Sequence, residues 1–114
     1  MKLSIDGKQY HIALEDNETA REIAENLPLE LEMERYAGHE YYAELPFTPP
    51  MAGETTSEIL AGHVYYWDGW NAFVINYIDS DISPYQVVHV GAMEETEISE
   101  DLENAENKIA VHVE

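Results

Sequence analysis

The sequence predicts a mainly β fold, a barrel or sandwich of about eight strands with one or two short helices. Three observations carry this. Short runs of alternating apolar and polar residues recur along the chain, the pattern of strands with one buried face. Asp6-Gly7 and Asp68-Gly69 sit between such runs, and that pair tolerates the positive φ of a tight hairpin turn. The first and last runs have matched patterns, so the two termini are expected to pair and close a barrel.

Each element follows from local composition. Leu3 and Ile5 alternate with Lys2, Ser4 and Asp6; Tyr10, Ile12 and Leu14 alternate with Gln9, His11 and Ala13. This predicts an N-terminal hairpin. A helix follows, capped by Asp16 or Asn17, with Ala20, Ile23, Ala24 and Leu27 on one stripe and Pro28 as its stop. Leu29, Leu31 and Met33 alternate with glutamates, a strand with one wet face. Residues 41–45 form another strand, closed by Pro46. Residues 46–58 hold three prolines and no period, so they read as a long loop. Two β-rich runs then meet at Asp68-Gly69, and a third covers 85–90. Ser99 is the expected cap of a short acidic helix bearing Ile98, Leu102 and Ala105 on one face. Ile109, Val111 and Val113 mark the last strand.

Composition narrows the function. The chain has 114 residues, the size of one domain spanning 1–114, and no cysteine. Its net charge is −19, from 24 acidic and 5 basic residues. Such a surface repels nucleic acid and anionic membranes. The carboxylates are scattered, which suits solubility or a salty cytoplasm better than one cationic partner. Residues 1–7 lack the apolar stretch of a signal peptide, and no run approaches the ~20 apolar residues of a membrane span. The expected location is the cytoplasm. No segment carries a signal of oligomeric state.

Candidate chemistry is sparse. His11, His39, His63, His89 and His112 show no metal-ligand spacing, and no metal or cofactor is expected. His11 and His112 are expected on outward faces of neighbouring strands, and His89 is expected to be packed and hydrogen-bonded. Residues 79–83 alternate oxygen-bearing side chains like a calcium loop, but Pro84 takes the glycine position and Val90 the final acid position, so they read as a solvated loop. No nucleophile elbow or phosphate-cradling glycine loop occurs.

The order of elements, with Tyr42-Ala43-Glu44-Leu45-Pro46, Ala61-Gly62-His63-Val64-Tyr65-Tyr66-Trp67 and Pro84-Tyr85-Gln86-Val87-Val88-His89-Val90-Gly91, resembles the small prokaryotic cyclophilin-like proteins. The resemblance implies a closed antiparallel cyclophilin-like barrel and no established activity. His63 departs from it, since Asp commonly follows that Gly. True cyclophilins are prolyl isomerases that use an arginine, a glutamine and a histidine around a hydrophobic pocket. Carried onto this chain, those positions fall on Ala43, on Ala72 and near Val87, so the polar groups are absent. Arg21 and Arg35 are the only arginines. The resemblance therefore implies a non-enzymatic binder of a small molecule or extended peptide. Its alternatives are a weak isomerase or a non-catalytic subunit, because related barrels occur in amide-hydrolase complexes.

The aromatic residues supply the expected site. Tyr65 and Trp67 share one strand face, Val64 and Tyr66 the other. A ligand groove is expected along Phe47, Trp67 and Phe73, with the 46–58 loop as its lid. A two-residue turn at Asp68-Gly69 would set Trp67 opposite Trp70. Trp67 is expected to be mainly buried and Trp70 partly exposed.

Overall fold

The computed structural model describes residues 1–114. It is mainly β. Eleven strands form: β1 (Lys2–Ile5), β2 (Lys8–Leu14), β3 (Leu29–Tyr36), β4 (Glu40–Glu44), β5 (Thr55–Thr56), β6 (Glu58–Ile59), β7 (His63–Trp67), β8 (Ala72–Asn76), β9 (Ser80–Asp81), β10 (Val87–Met93) and β11 (Lys108–Val113). Two short helices, α1 (Glu18–Glu25) and α2 (Ile98–Glu103), join them. Eight strands close into an antiparallel barrel in the order β2-β1-β11-β3-β4-β8-β7-β10, and β10 returns to pair with β2. The termini meet as expected, with Leu3 opposite Val113.

The main core lies inside this wall. It gathers Leu3, Tyr10, Met33, Tyr41, Tyr66, Phe73 and Ile75 with Ala20 and Ile23 of α1 and Ile98 and Leu102 of α2. Asn17 caps α1 by accepting from Ala20 N at 2.8 Å, and its amide donates to His89 O at 2.9 Å, which ties the helix to β10. Arg35 closes another gap. Its guanidinium donates to Tyr77 Oη at 2.7 Å and to the carbonyls of Ala105 (2.5 Å) and Leu102 (3.3 Å), and it lies over the rings of Tyr41 and Tyr77. The favourable end of the α2 dipole thus meets a cation.

The structure corrects several expectations. Trp67 pairs with Ala72, not with Trp70. The connection runs through Asp68–Trp70 as a 3₁₀ turn, and the left-handed residue is Asn71 (φ 49°) rather than Gly69. Asn71 then donates to the carbonyls of Leu45 and Phe47 and accepts from Tyr66 Oη, so tertiary bonds override the local hairpin signal. Trp67 is half-buried rather than mainly buried, whereas Trp70 is partly exposed as expected. The acidic helix begins at Ile98 after Glu97, so Ser99 lies within it and does not cap it. The 46–58 stretch is not all loop, since it forms β5 and begins β6. His11 and His112 are not on neighbouring strands, because β1 separates β2 from β11. Each faces its own carboxylate, Glu95 for His11 and Glu30 for His112.

Few of the carboxylates have basic partners. Lys8 meets Asp101, Arg21 meets Asp16 and Lys108 meets Glu34, while Arg35 is spent on neutral oxygens. Melting temperature is therefore expected to rise as sodium chloride shortens the Debye length from ~30 to ~3 Å. A flat or falling curve in a thermal melt series would contradict this.

Candidate binding groove

A second, smaller apolar cluster lies outside the barrel. On β7, β8 and β10, alternation points Tyr65, Ala72, Val74 and Val87 away from the interior, and Ile59 covers them, with Tyr42, Trp67 and Ile82 at the edge. The cover is a two-stranded ribbon of β6 and β9, in which Glu58 pairs with Asp81 and Ile59 with Ser80. Ile82 N bonds Ser57 O at 2.9 Å, and Ser57 Oγ donates to Tyr85 O at 2.6 Å. Tyr65 Oη accepts from Leu60 N at 2.9 Å, which pins the ribbon to the wall.

The ribbon covers this face incompletely. A cavity of about 480 Å³ remains, walled by apolar side chains and by Tyr36, Tyr65, Trp67, Trp70 and Tyr85, with His39, Glu40 and Asp81 as its ionisable groups. Its rings are coupled edge to face. Trp67 and Trp70 have centroids 4.9 Å apart, Trp70 and Tyr36 5.0 Å, and Trp67 and Tyr85 5.6 Å. Tyr36, Trp70 and Tyr85 remain 46%, 41% and 58% exposed. Three aromatic rings left in water on one patch are unusual for a surface without a partner. Gly69 shapes this wall. A Cβ there would fall 2.5 Å from Trp67 Cζ2, so only glycine lets the indole fold back over the turn.

The charged groups have distinct environments. Asp81 accepts two hydrogen bonds from Ser83, at 2.9 Å from the backbone and 2.6 Å from the hydroxyl, which hold its carboxyl below the usual range. Burial alone pushes Glu40 up to about 7. Its side chain is 14% exposed. The imidazole of His39 is beside it, with Nδ1 3.4 Å away and closer, at 3.1 Å, to Asn76 Oδ1.

The expected site residues do not converge. Trp67 lines the cavity. Phe73 points into the barrel and is fully buried, so the wall itself separates it from Trp67. Phe47 packs partly buried against the main core. The 46–58 loop is the lid only at its end. Thr19 fastens its middle over α1 through the carbonyls of Pro50 and Ala52, while Ser57 and Glu58 lead into the ribbon that covers the wall. Ala43 and Ala72 also part: Ala43 belongs to the interior core and Ala72 to the outer cluster. The transferred catalytic positions thus do not share one face. Arg35 is held by the carbonyls of Leu102 and Ala105, and no arginine lines the groove.

Elsewhere, His89 is packed and hydrogen-bonded as expected, but its partner is His63, with Nε2 2.8 Å from His63 Nδ1. Burial first, and His89 second, lower the His63 pKa. Asp79 caps Ala61 N at 2.7 Å, so the 79–83 acids serve turn geometry. No helix is long and apolar enough to cross a membrane.

No curated protein matches the chain. The model of the Cyclophilin-like family matches residues 3–114, nearly the whole sequence. With the closed eight-stranded barrel in place, the chain belongs to the cyclophilin-like family.

Proposed function

We propose that this barrel is a non-enzymatic binding protein whose outer-wall groove takes a small molecule or an extended peptide. The carrying observation is the groove itself: about 480 Å³, mainly apolar, with three exposed aromatic rings and a few polar groups in its lining. That size and lining are typical of ligand sites. The protein is expected to work in the cytoplasm, with neither nucleic acid nor membrane as partner, given its net charge of −19.

Thermal-shift screening of a fragment library tests this. Hits are expected to raise the melting temperature of the native chain and to lose that effect in Trp70→Ala. Trp70 is 41% exposed, so its truncation should itself cost only about 1 kcal/mol. Hits that stabilise Trp70→Ala equally would place binding elsewhere.

Prolyl isomerisation is expected to be absent. Stabilising the twisted imide needs a donor aimed at developing charge. Arg35 is already fully engaged, and Arg21 is paired with Asp16 at 2.6 Å. Acceleration of a standard proline-containing peptide to the level of a true cyclophilin would overturn the non-enzymatic reading.

A further inference from the structure

We propose that the groove selects an organic cation: an ammonium with apolar substituents, seated against the aromatic rings with its charge facing Glu40 and Asp81. This rests on the groove being the binding site and adds the chemistry of its occupant. Three observations carry it.

The first is the ring system. Tyr36, Trp70, Trp67 and Tyr85 form a continuous chain with centroid spacings of 4.9 to 5.6 Å. Neighbouring rings meet edge to face, at interplanar angles of 64° to 79°, so the set presents π-faces in several directions around the opening. The face of an aromatic ring is its negative side and attracts a cation, an indole most of all.

The second is charge. The groove contains two carboxylates and one imidazole, and no lysine or arginine lines it. An anionic ligand would meet Glu40, Asp81 and the field of a chain with net charge −19. Asp81 is held ionised by Ser83.

The third is an unmet need. The Glu40 side chain is only 14% exposed, and His39 Nδ1 stands 3.4 Å from its Oε1 while lying closer, at 3.1 Å, to Asn76 Oδ1. A neutral ligand would strip the last water from Glu40 and return no charge, which is costly for a carboxylate. A cation supplies the missing counter-charge. The other titratable groups lining the groove with Glu40 are His39, Asp81 and the phenols of Tyr36, Tyr65 and Tyr85.

The test uses choline, its neutral isostere 3,3-dimethylbutanol, and the anionic 3,3-dimethylbutanoate, which keeps the tert-butyl group and carries its charge at the other end. Binding is read from tryptophan fluorescence and calorimetry at low salt, at pH 8 and pH 6. Choline is expected to bind at least about tenfold more tightly than the alcohol at pH 8, with the anion weakest. Its affinity should fall at pH 6, as Glu40 takes up a proton, while that of the alcohol stays level. Glu40→Gln and Asp81→Asn should each narrow the preference, and Trp70→Ala should abolish binding of both. Equal or tighter binding of the alcohol overturns the cation proposal and leaves the groove reading standing. Silence from all three probes overturns the cation proposal, and fragment hits lost in Trp70→Ala would then still uphold the groove. Silence together with hits that ignore Trp70→Ala overturns both.

Discussion

Gly91→Ala is expected to destabilise the protein by about 3 kcal/mol. Gly91 lies at the seam where the barrel closes. It pairs with Leu14 of β2 on one side and Val64 of β7 on the other, next to an irregularity in the β10–β7 register. A Cβ there would stand 2.6 Å from Ala13 O and 2.7 Å from Ile12 Cγ2. The first of these atoms is backbone, so no rotamer change relieves the clash and β2 must move. Glycine in a strand marks such close approaches. Chemical denaturation of the purified variant measures the loss. A change within about 0.5 kcal/mol, the range of ordinary surface substitutions, would mean that β10 and β2 do not close the barrel.

The second expectation has the opposite sign. Glu40→Gln should stabilise the free protein by about 2 to 3 kcal/mol at pH 8 and by little at pH 4. Burial raises the Glu40 pKa from 4.5 to about 7. A carboxyl whose folded pKa exceeds its unfolded value favours folding while protonated. That advantage is complete below about pH 4.5 and is lost as the pH rises through about 7. Glutamine has no proton to lose, so the variant keeps its stability where the native chain gives it up. Denaturation at both pH values reads the difference directly. An equal effect of Glu40→Gln at pH 4 and pH 8 would show that Glu40 is well solvated. A residue that costs stability at neutral pH while lining an aromatic groove fits a binding role better than a structural one.

Most of the barrel was legible from the chain because its strands keep strict alternation. Leu29, Leu31 and Met33 against Glu30, Glu32 and Glu34 set β3, and Ile109, Val111 and Val113 set β11 opposite it. Asp6-Gly7 forms its turn with both residues at positive φ. Asp68-Gly69 misled because its neighbour Asn71 can also adopt a left-handed conformation and has three tertiary hydrogen bonds to gain by doing so. No local pattern announces those bonds.

The groove was legible only in part. Alternation along β7 correctly put Tyr65 and Trp67 on one face and Tyr66 on the other. The same alternation on β8 turns Phe73 inward beside Ile75, away from Trp67. Tyr36, Glu40, Trp70 and Tyr85 lie at a strand end, a strand start, a turn and a loop, so no period links them. Their meeting depends on β4 lying between β3 and β8 and on the ribbon folding back over β7, which are long-range choices of topology. The His63–His89 contact arises in the same way, across a β7–β10 register that shifts between His89 and Gly91.

The central claim is that ligands bind on the outer aromatic wall, and the two tryptophans offer a direct test because both lie there. Labelling with 5-fluorotryptophan gives two fluorine resonances, one from Trp67 and one from Trp70. Any ligand that stabilises the protein is expected to shift both signals together and saturably, and to do so more weakly in Gly69→Ala, whose Cβ displaces the Trp67 ring from its place in the wall. A ligand that saturates the protein while leaving both resonances unmoved would contradict the assignment of this groove as the binding site.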